Sequence, residues 1–124
     1  MSELDYTHPI NLENEEEGQL SIDVYQTENR VVVISTVSGV TMDDLEILVH
    51  GDMLIIRGRR LPPEAVKPEQ YLYRDCYWGP FSRTIILPRD VDLSQIKASI
   101  KNGILMISLP RVQGEAFKKI SVET

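Results

Sequence analysis

The sequence is poor in features that would place it in several other classes of protein. It has one cysteine, Cys76, which cannot form a disulfide within the chain, so a secreted, cross-linked scaffold is not expected. Aromatic residues make up 6% of the chain, and no apolar run approaches the roughly 18 residues that span a membrane. The stretch from Met1 to Leu12 lacks the basic and apolar segments of a signal peptide. We therefore expect a cytoplasmic protein with no membrane partner.

Basic residues are missing from the front of the chain. Eight acidic residues lie before Arg30 and no Lys or Arg does, whereas the rest of the chain carries 13 basic and 11 acidic residues. An acidic front end repels phosphate backbones, which argues against nucleic acid as a partner. Runs of like charge are typical of solvated tails. Residues 1–17 are therefore predicted to form a short acidic arm.

The remainder of the 124 residues suits one domain made of short strands. Strict alternation of apolar and polar residues predicts a strand from Leu20 to Tyr25, and a β-branched run predicts a strand covered on both faces at residues 30–34. Further strand patterns lie at residues 45–49, 53–57, 71–74, 81–87, 98–101 and 104–109. About eight strands without a convincing helix predict an all-β sandwich.

Turn signals separate these patterns. Asn102-Gly103, between two apolar runs, predicts a type I′ hairpin, and Gly51-Asp52 predicts another tight turn. Prolines at positions 62, 63 and 68 predict a long excursion with strand-like composition inside it. The segment from Asp92 to Ile96 has room for one helical turn.

Three motifs, in this order along the chain, resemble the Hsp20 family of small heat-shock proteins. G-x-F-x-R-x-x-x-L-P at residues 79–88 is similar to one characteristic segment of the family. A-x-x-x-N-G-I-L at residues 98–105, followed by Leu109-Pro110, resembles the signature of its α-crystallin domain. Ile120-Ser121-Val122 is similar to the family's terminal motif. The resemblance covers residues 20–122.

The resemblance implies an immunoglobulin-like β-sandwich, the α-crystallin domain, at residues 18–111, with a C-terminal extension at residues 112–124. It also implies a strand-swapped dimer, in which a strand at residues 71–76 pairs with the partner's edge strand at residues 20–25. Such an exchange would cover unpaired strand edges. The implied interface consists of Leu20, Ile22, Val24, Tyr71, Leu72, Tyr73 and Arg83. Arg83 otherwise reads as an outward-facing strand residue.

Ile120 and Val122 are predicted to form an assembly motif. Because Ser121 separates them, an extended tail projects both side chains to one side, where they can enter an apolar groove on a neighbouring chain. The alternative is a final strand docked on its own domain. By resemblance, the receiving groove lies between the strands that carry Leu45, Ile47 and Val49 and those that carry Ile96 and Ala98.

No catalytic, metal or cofactor site is predicted. Gly51 and Gly58 sit in hairpin-like strands rather than in a phosphate-binding loop. Cys76, His8 and His50 fit no metal-ligand or nucleophile pattern. The arginines at positions 57, 59 and 60 are interpreted as solvent-exposed residues at the rim of a sheet. The aromatic residues at 71–78 are interpreted as part of a packed interface rather than a base-stacking platform.

The function implied by the resemblance is that of an ATP-independent chaperone, a holdase that binds partly unfolded proteins. Relatives usually carry a longer, Phe-rich arm, whereas residues 1–17 are acidic and contain no Phe. A second hypothesis is therefore a structural subunit that co-assembles with longer relatives and has little holdase activity alone. A p23-like co-chaperone sandwich is a third, and would need neither the Ile120 motif nor the strand at residues 71–74.

Overall fold

Two four-stranded β-sheets make up the fold of residues 17–112 and 120–123, the part of the chain that the computed structural model describes. The strand orders are β1-β6-β5-β4 and β2-β3-β8-β7. The strands are β1 (Gly18–Gln19), β2 (Asp23–Gln26), β3 (Arg30–Thr36), β4 (Leu45–His50), β5 (Met53–Arg60), β6 (Gly79–Ile86), β7 (Lys97–Lys101) and β8 (Ile104–Pro110). One-turn 3-10 helices lie at Met42–Asp44, Pro68–Gln70 and Leu93–Gln95. The predicted all-β sandwich is confirmed.

A single apolar core fills the space between the sheets. Inward-facing residues of β3, β5, β6 and β8 supply most of it, because alternate residues of a strand point to the same face. Successive residues Val31, Val32 and Val33 are only 2%, 0% and 0% exposed, as predicted for a strand covered on both faces. The largest buried core side chains are Phe81, Leu54, Ile56, Leu105, Ile107 and Leu109.

The predicted hairpin between β7 and β8 is confirmed in its backbone geometry. Asn102 and Gly103 have φ angles of 53° and 75°. Positive φ at both central residues is the requirement of a type I′ turn, whose twist matches that of the flanking strands. The turn sets the register in which Ala98 lies opposite Ile107 and Ile100 lies opposite Leu105.

The single strand predicted from Leu20 to Tyr25 is wrong, because this segment is divided between the two sheets. β1 pairs in parallel with β6, and β2 pairs antiparallel with β3. Leu20, Ser21 and Ile22 cross from one sheet to the other. Leu20 is 5% exposed and belongs to the core, whereas Val24 is 46% exposed. The alternating pattern therefore spans a change of sheet rather than one continuous strand.

Side chains from two other strands bind the backbone of this crossing. The Ser35 hydroxyl donates a hydrogen bond to the Ser21 carbonyl at 2.7 Å. Nη1 of Arg83 donates to the Leu20 carbonyl at 3.1 Å. Polar backbone groups that leave a sheet need other partners, and these donors supply them.

The segment between β5 and β6 contains a 3-10 turn at Pro68–Gln70 and no strand, although all of its residues are described. The strand predicted at residues 71–76 is therefore not formed within one chain. The described part of the chain still has eight strands, because the predicted first strand is two strands here. Exchange of residues 71–76 with a partner needs a second chain and stays a prediction.

Gly58 lies in the middle of β5, where a side chain has no room. A Cβ at this position would lie 2.4 Å from the backbone oxygen of Asp44 and 3.0 Å from the ring of Phe81. We expect Gly58→Ala to lower the free energy of unfolding by about 1 to 3 kcal/mol, because the backbone must shift. Without the clash, replacing a strand glycine with alanine would raise stability. Urea unfolding followed by circular dichroism distinguishes the two signs, with Ser99→Ala on exposed β7 as the control.

Candidate functional site

Two edges of the sandwich stand out as candidate interaction sites. The crossing at residues 20–22 joins β1 to β2, so these two edge strands lie at one end of the stacked sheets. The remaining edge strands, β4 and β7, must then lie together at the other end. We call the opening between β4 and β7 the distal groove, and the opening between β2 and β6 the proximal opening.

Apolar side chains face inward along the distal groove. Leu45, Ile47 and Val49 lie opposite Gly58, Ile56 and Leu54 of the buried strand β5, and directly opposed residues share one face of a sheet. Leu45 and Ile47 are half-buried against the core, whereas Val49 is 39% exposed. The β4 side of the predicted groove is therefore apolar and partly open.

The β7 side of the distal groove has the same character. Ala98 lies opposite the buried Ile107, so it faces inward, and Ile96 packs half-buried against the core. Ile100 also faces inward, opposite Leu105, and it was not among the predicted groove residues. Its position at the i+2 spacing from Ala98 is the signal that could have identified it.

A capped turn fixes the entry to β7. The Ser94 hydroxyl and amide donate hydrogen bonds to Oδ1 of Asp92 at 2.6 and 3.0 Å. These two bonds hold the pKa of Asp92 below its ordinary value. A lowered folded pKa means that the stabilisation is present at neutral pH and is lost as the pH falls through that pKa. The turn Leu93–Gln95 then delivers Ile96 in extended conformation to the groove.

The terminal motif has nothing to bury it among the described residues of its own chain. Ile120 is 77% exposed and Val122 is 89% exposed. In extended chain their side chains repeat at about 7 Å, which is also the spacing of Leu45 and Ile47 on β4. The motif therefore matches the distal groove in polarity and in period.

The proximal opening is a second apolar site. A depression of about 250 Å³ is lined by β2 and by the end of β6, with Val24, Tyr25, Ile85 and Ile86 among its walls. It is open because β1 pairs only with residues 81 and 82 of β6. Ile86 is 64% exposed, and Val24 is the most exposed of the three predicted interface residues in this segment.

The other predicted interface residues divide into exposed and internally bound groups. Leu72 and Tyr73 are 93% and 89% exposed. Tyr71 is half-buried, with the guanidinium of Arg74 4.6 Å from its ring centroid. Arg83 is half-buried and binds the Leu20 carbonyl, so it has at least one partner within its own chain.

Within residues 17–112 and 120–123, no group of three His, Cys, Asp or Glu side chains lies close enough to hold a metal ion. Cys76 is exposed in the long segment between β5 and β6. His50 is exposed at the end of β4 and points away from the distal groove, since it alternates with Val49. Nor does any helix in this part of the chain have the length and apolarity to cross a membrane.

The fold and its two apolar openings define a β-sandwich whose exposed edges are suited to binding other strands. The model of the Hsp20/alpha crystallin family matches residues 12–123. The chain therefore belongs to this family, which supports a chaperone-type role.

Relatives of known sequence and structure agree with this assignment. The chain is 31% identical over 100 residues to small heat shock protein C4 of Rickettsia felis. The aligned region covers 81% of this chain and 61% of that protein. It is similar to the structure of heat shock protein 16.0 from Schizosaccharomyces pombe, with a TM-score of 0.71, 28% identity and coverage of 86% and 100%. The structure of a small heat-shock protein from Xylella fastidiosa is similar with a TM-score of 0.71 and 25% identity, and the match covers 85% of this chain and 96% of that one.

Proposed function

We propose that the protein is an ATP-independent holdase that binds partly unfolded proteins and prevents their aggregation. The observation that carries this proposal is the pair of open edges, where apolar side chains that face the core remain partly accessible to a foreign strand. An extended client segment can add to such an edge through its backbone while its side chains enter the opening. No cofactor is needed for this mode of binding.

Reversible assembly would control access to the distal groove. We propose that Ile120 and Val122 of one chain occupy this groove of a neighbour. Burial of each side chain contributes about 1.5 to 3 kcal/mol, and ordering of the tail offsets much of it. A single contact is therefore weak, whereas several tails in one assembly hold together. Grooves can open one at a time and bind clients without disassembly of the whole particle.

Self-association is part of the proposal. The arrangement we propose is a dimer through exchange of residues 71–76 into the proximal opening, and a higher assembly through the tails. It divides the chain into an arm at residues 1–17, a domain at residues 18–111 and an extension at residues 112–124. The Xylella fastidiosa relative is described as having a distinct high order structure. Neither nucleic acid nor membrane is expected as a partner, and we place the protein in the cytoplasm.

Light scattering of a heat-aggregating client tests the holdase proposal. We expect a molar excess of the protein alone, without ATP, to suppress most of the scattering, because the apolar edges bind the unfolding chain. The test variant is Val49→Asp, which places a charge inside the distal groove and is expected to weaken suppression several-fold. The matched control is Ser99→Asp, on the outward face of β7, which should leave suppression unchanged.

The second candidate is a structural subunit that tunes the assembly of longer relatives. The observation that favours it is the composition of residues 1–17, which are acidic and lack Phe. In that case the protein alone would leave client scattering unchanged, yet it would alter the size of a longer relative's assembly on mixing. Scattering with the protein alone therefore separates the two functions.

A further inference from the structure

The hydroxyl group of Tyr77 bridges two neighbouring strands of the β1-β6-β5-β4 sheet. It accepts a hydrogen bond from the Gly18 amide of β1 at 3.1 Å and donates one to the Pro80 carbonyl of β6. A hydroxyl group can accept and donate at the same time, so it can link a backbone donor to a backbone acceptor. Strand β1 is only two residues long and pairs with β6 at Phe81 and Ser82. The bridge therefore extends a very short strand pairing.

Two glycines make room for the side chain of Tyr77 against the sheet. A Cβ atom at Gly18 would lie 3.0 Å from Cε2 and Cζ of the ring, and one at Gly79 would lie 3.2 Å from the hydroxyl oxygen. A side chain at either position would therefore push the tyrosine away. Gly79 also has a φ of 134°, which favours glycine. We call Tyr77 together with Gly18, Gly79 and Pro80 the Tyr77 latch.

The Tyr77 latch comes directly after the segment that we propose to be exchanged. Residues 71–76 belong to the connection between β5 and β6, which are the two central strands of their sheet. Tyr77 reaches past the start of β6 to β1, which is the edge strand of the same sheet. The latch therefore fixes the C-terminal end of the exchanged segment at this edge instead of the middle of the sheet.

Reciprocal exchange requires the donated segment and the accepting strand to lie on the same side of the domain. In a two-fold dimer, each chain gives and receives through one self-complementary surface. The accepting strand is β2, whose free edge lies on the same side of the sandwich as β1. Gly18, to which Tyr77 binds, lies five residues before Asp23, the first residue of β2. The latch therefore joins the end of the donated segment to the side of the domain that accepts a partner's segment.

We propose that Tyr77 is a positioning residue for strand exchange, which fixes the end of residues 71–76 on the accepting side of the domain. This inference rests on the proposed exchange of these residues into the proximal opening. Fixing one end of the segment lowers the conformational entropy that is lost when the segment pairs with a partner. Without the hydroxyl group, the fixed point moves back to Gly79 in the middle of the sheet, and reciprocal pairing becomes less favourable.

Sedimentation equilibrium of Tyr77→Phe tests the latch in the Ile120→Ala, Val122→Ala background, where we expect a dimer. The substitution removes the bridging hydroxyl group and keeps the ring. It is expected to raise the dimer Kd by about tenfold or more, because two hydrogen bonds that fix the segment are lost. Gly18→Ala acts on the latch from the other side, since the added Cβ displaces the ring, and should raise the Kd as well.

Hydrogen exchange of the Gly18 amide measures the latch without a partner. The measurement is made by NMR in the Leu72→Asp, Tyr73→Asp protein, which we expect to be monomeric. Tyr77→Phe removes the acceptor of this amide, so the amide should exchange about tenfold faster or more. Equal exchange rates with and without the hydroxyl group would overturn the latch.

A control variant separates positioning from a general loss of stability. Ile107→Val removes a methyl group from a core side chain of β8 that is 0% exposed, so it destabilises the domain without touching the latch. It should leave the dimer Kd unchanged, and a rise equal to that of Tyr77→Phe would contradict the positioning role. An unchanged Kd in Tyr77→Phe overturns the latch alone if Leu72→Asp, Tyr73→Asp gives monomers. Dimers that persist in both of these proteins overturn strand exchange itself.

Discussion

Replacing Ile120 and Val122 together with alanine is expected to reduce the assembly to dimers. In the single chain these two side chains are 77% and 89% exposed, so their removal leaves the domain itself intact. In the assembly each tail would lose about 3 to 6 kcal/mol of stabilisation from apolar burial. This loss exceeds the net binding free energy of one tail, because ordering the tail already offsets much of the burial. Because the contacts act together, the loss at every tail multiplies. Light scattering coupled to size-exclusion chromatography measures the mass.

A matched variant at the same tail separates burial from other effects. Ser121→Ala changes the residue between the two apolar side chains, which points the other way in an extended tail, and should leave the mass unchanged. The thermal midpoint of the domain should be the same in both variants. A particle of wild-type mass from the Ile120→Ala, Val122→Ala protein would rule out the tail-in-groove assembly.

Replacing Leu72 and Tyr73 with aspartate is expected to convert the dimer into monomers. The two side chains are 93% and 89% exposed, so nothing in the single chain depends on their burial. In an exchanged strand, loss of both would cost about 3 to 6 kcal/mol, which raises the dimer Kd by at least about a hundredfold. Sedimentation equilibrium of the variant, made in the Ile120→Ala, Val122→Ala background, measures this Kd.

This design leaves intact the residues that the loop uses within its own chain. The Tyr77 hydroxyl accepts a hydrogen bond from the Gly18 amide at 3.1 Å and donates to the Pro80 carbonyl, so deleting the whole loop would also disturb β1. The charge-matched control is Ala65→Asp, Val66→Asp, at exposed positions of the same loop outside the predicted strand. Dimers that persist in the Leu72→Asp, Tyr73→Asp protein as they do in this control would exclude strand exchange.

We propose different occupants for the two openings, because the residues and strand edges that line them differ. The distal groove is built from inward-facing residues of two edge strands and suits a narrow, alternating tail. The proximal opening is bounded by the free edge of β2, whose backbone can pair with an added strand. Dimerisation and higher assembly would therefore rely on separate surfaces and respond separately to substitution.

Local sequence signals determined most of the strands. A type I′ turn needs positive φ at two successive positions, and the dipeptide Asn102-Gly103 readily adopts it. The dipeptide therefore predicts the hairpin from local sequence. Alternation on β4 placed Leu45, Ile47 and Val49 on one face. The family motifs then implied the sandwich and the groove. The strands and the turn could be predicted because each is encoded within a few neighbouring residues.

Tertiary structure alone decided the crossing at residues 20–22 and the contacts of Arg111, just after β8. The alternation of apolar residues continues unbroken through a change of sheet, so the sequence shows no signal there. The bonds that fix the crossing come from Ser35 and Arg83, 14 and 63 residues away from their acceptors. Arg111 binds Asp90 and Thr27, which lie 21 and 84 residues before it. Such partners meet only after the core has brought distant strands together, and propensity and periodicity carry no information about that meeting.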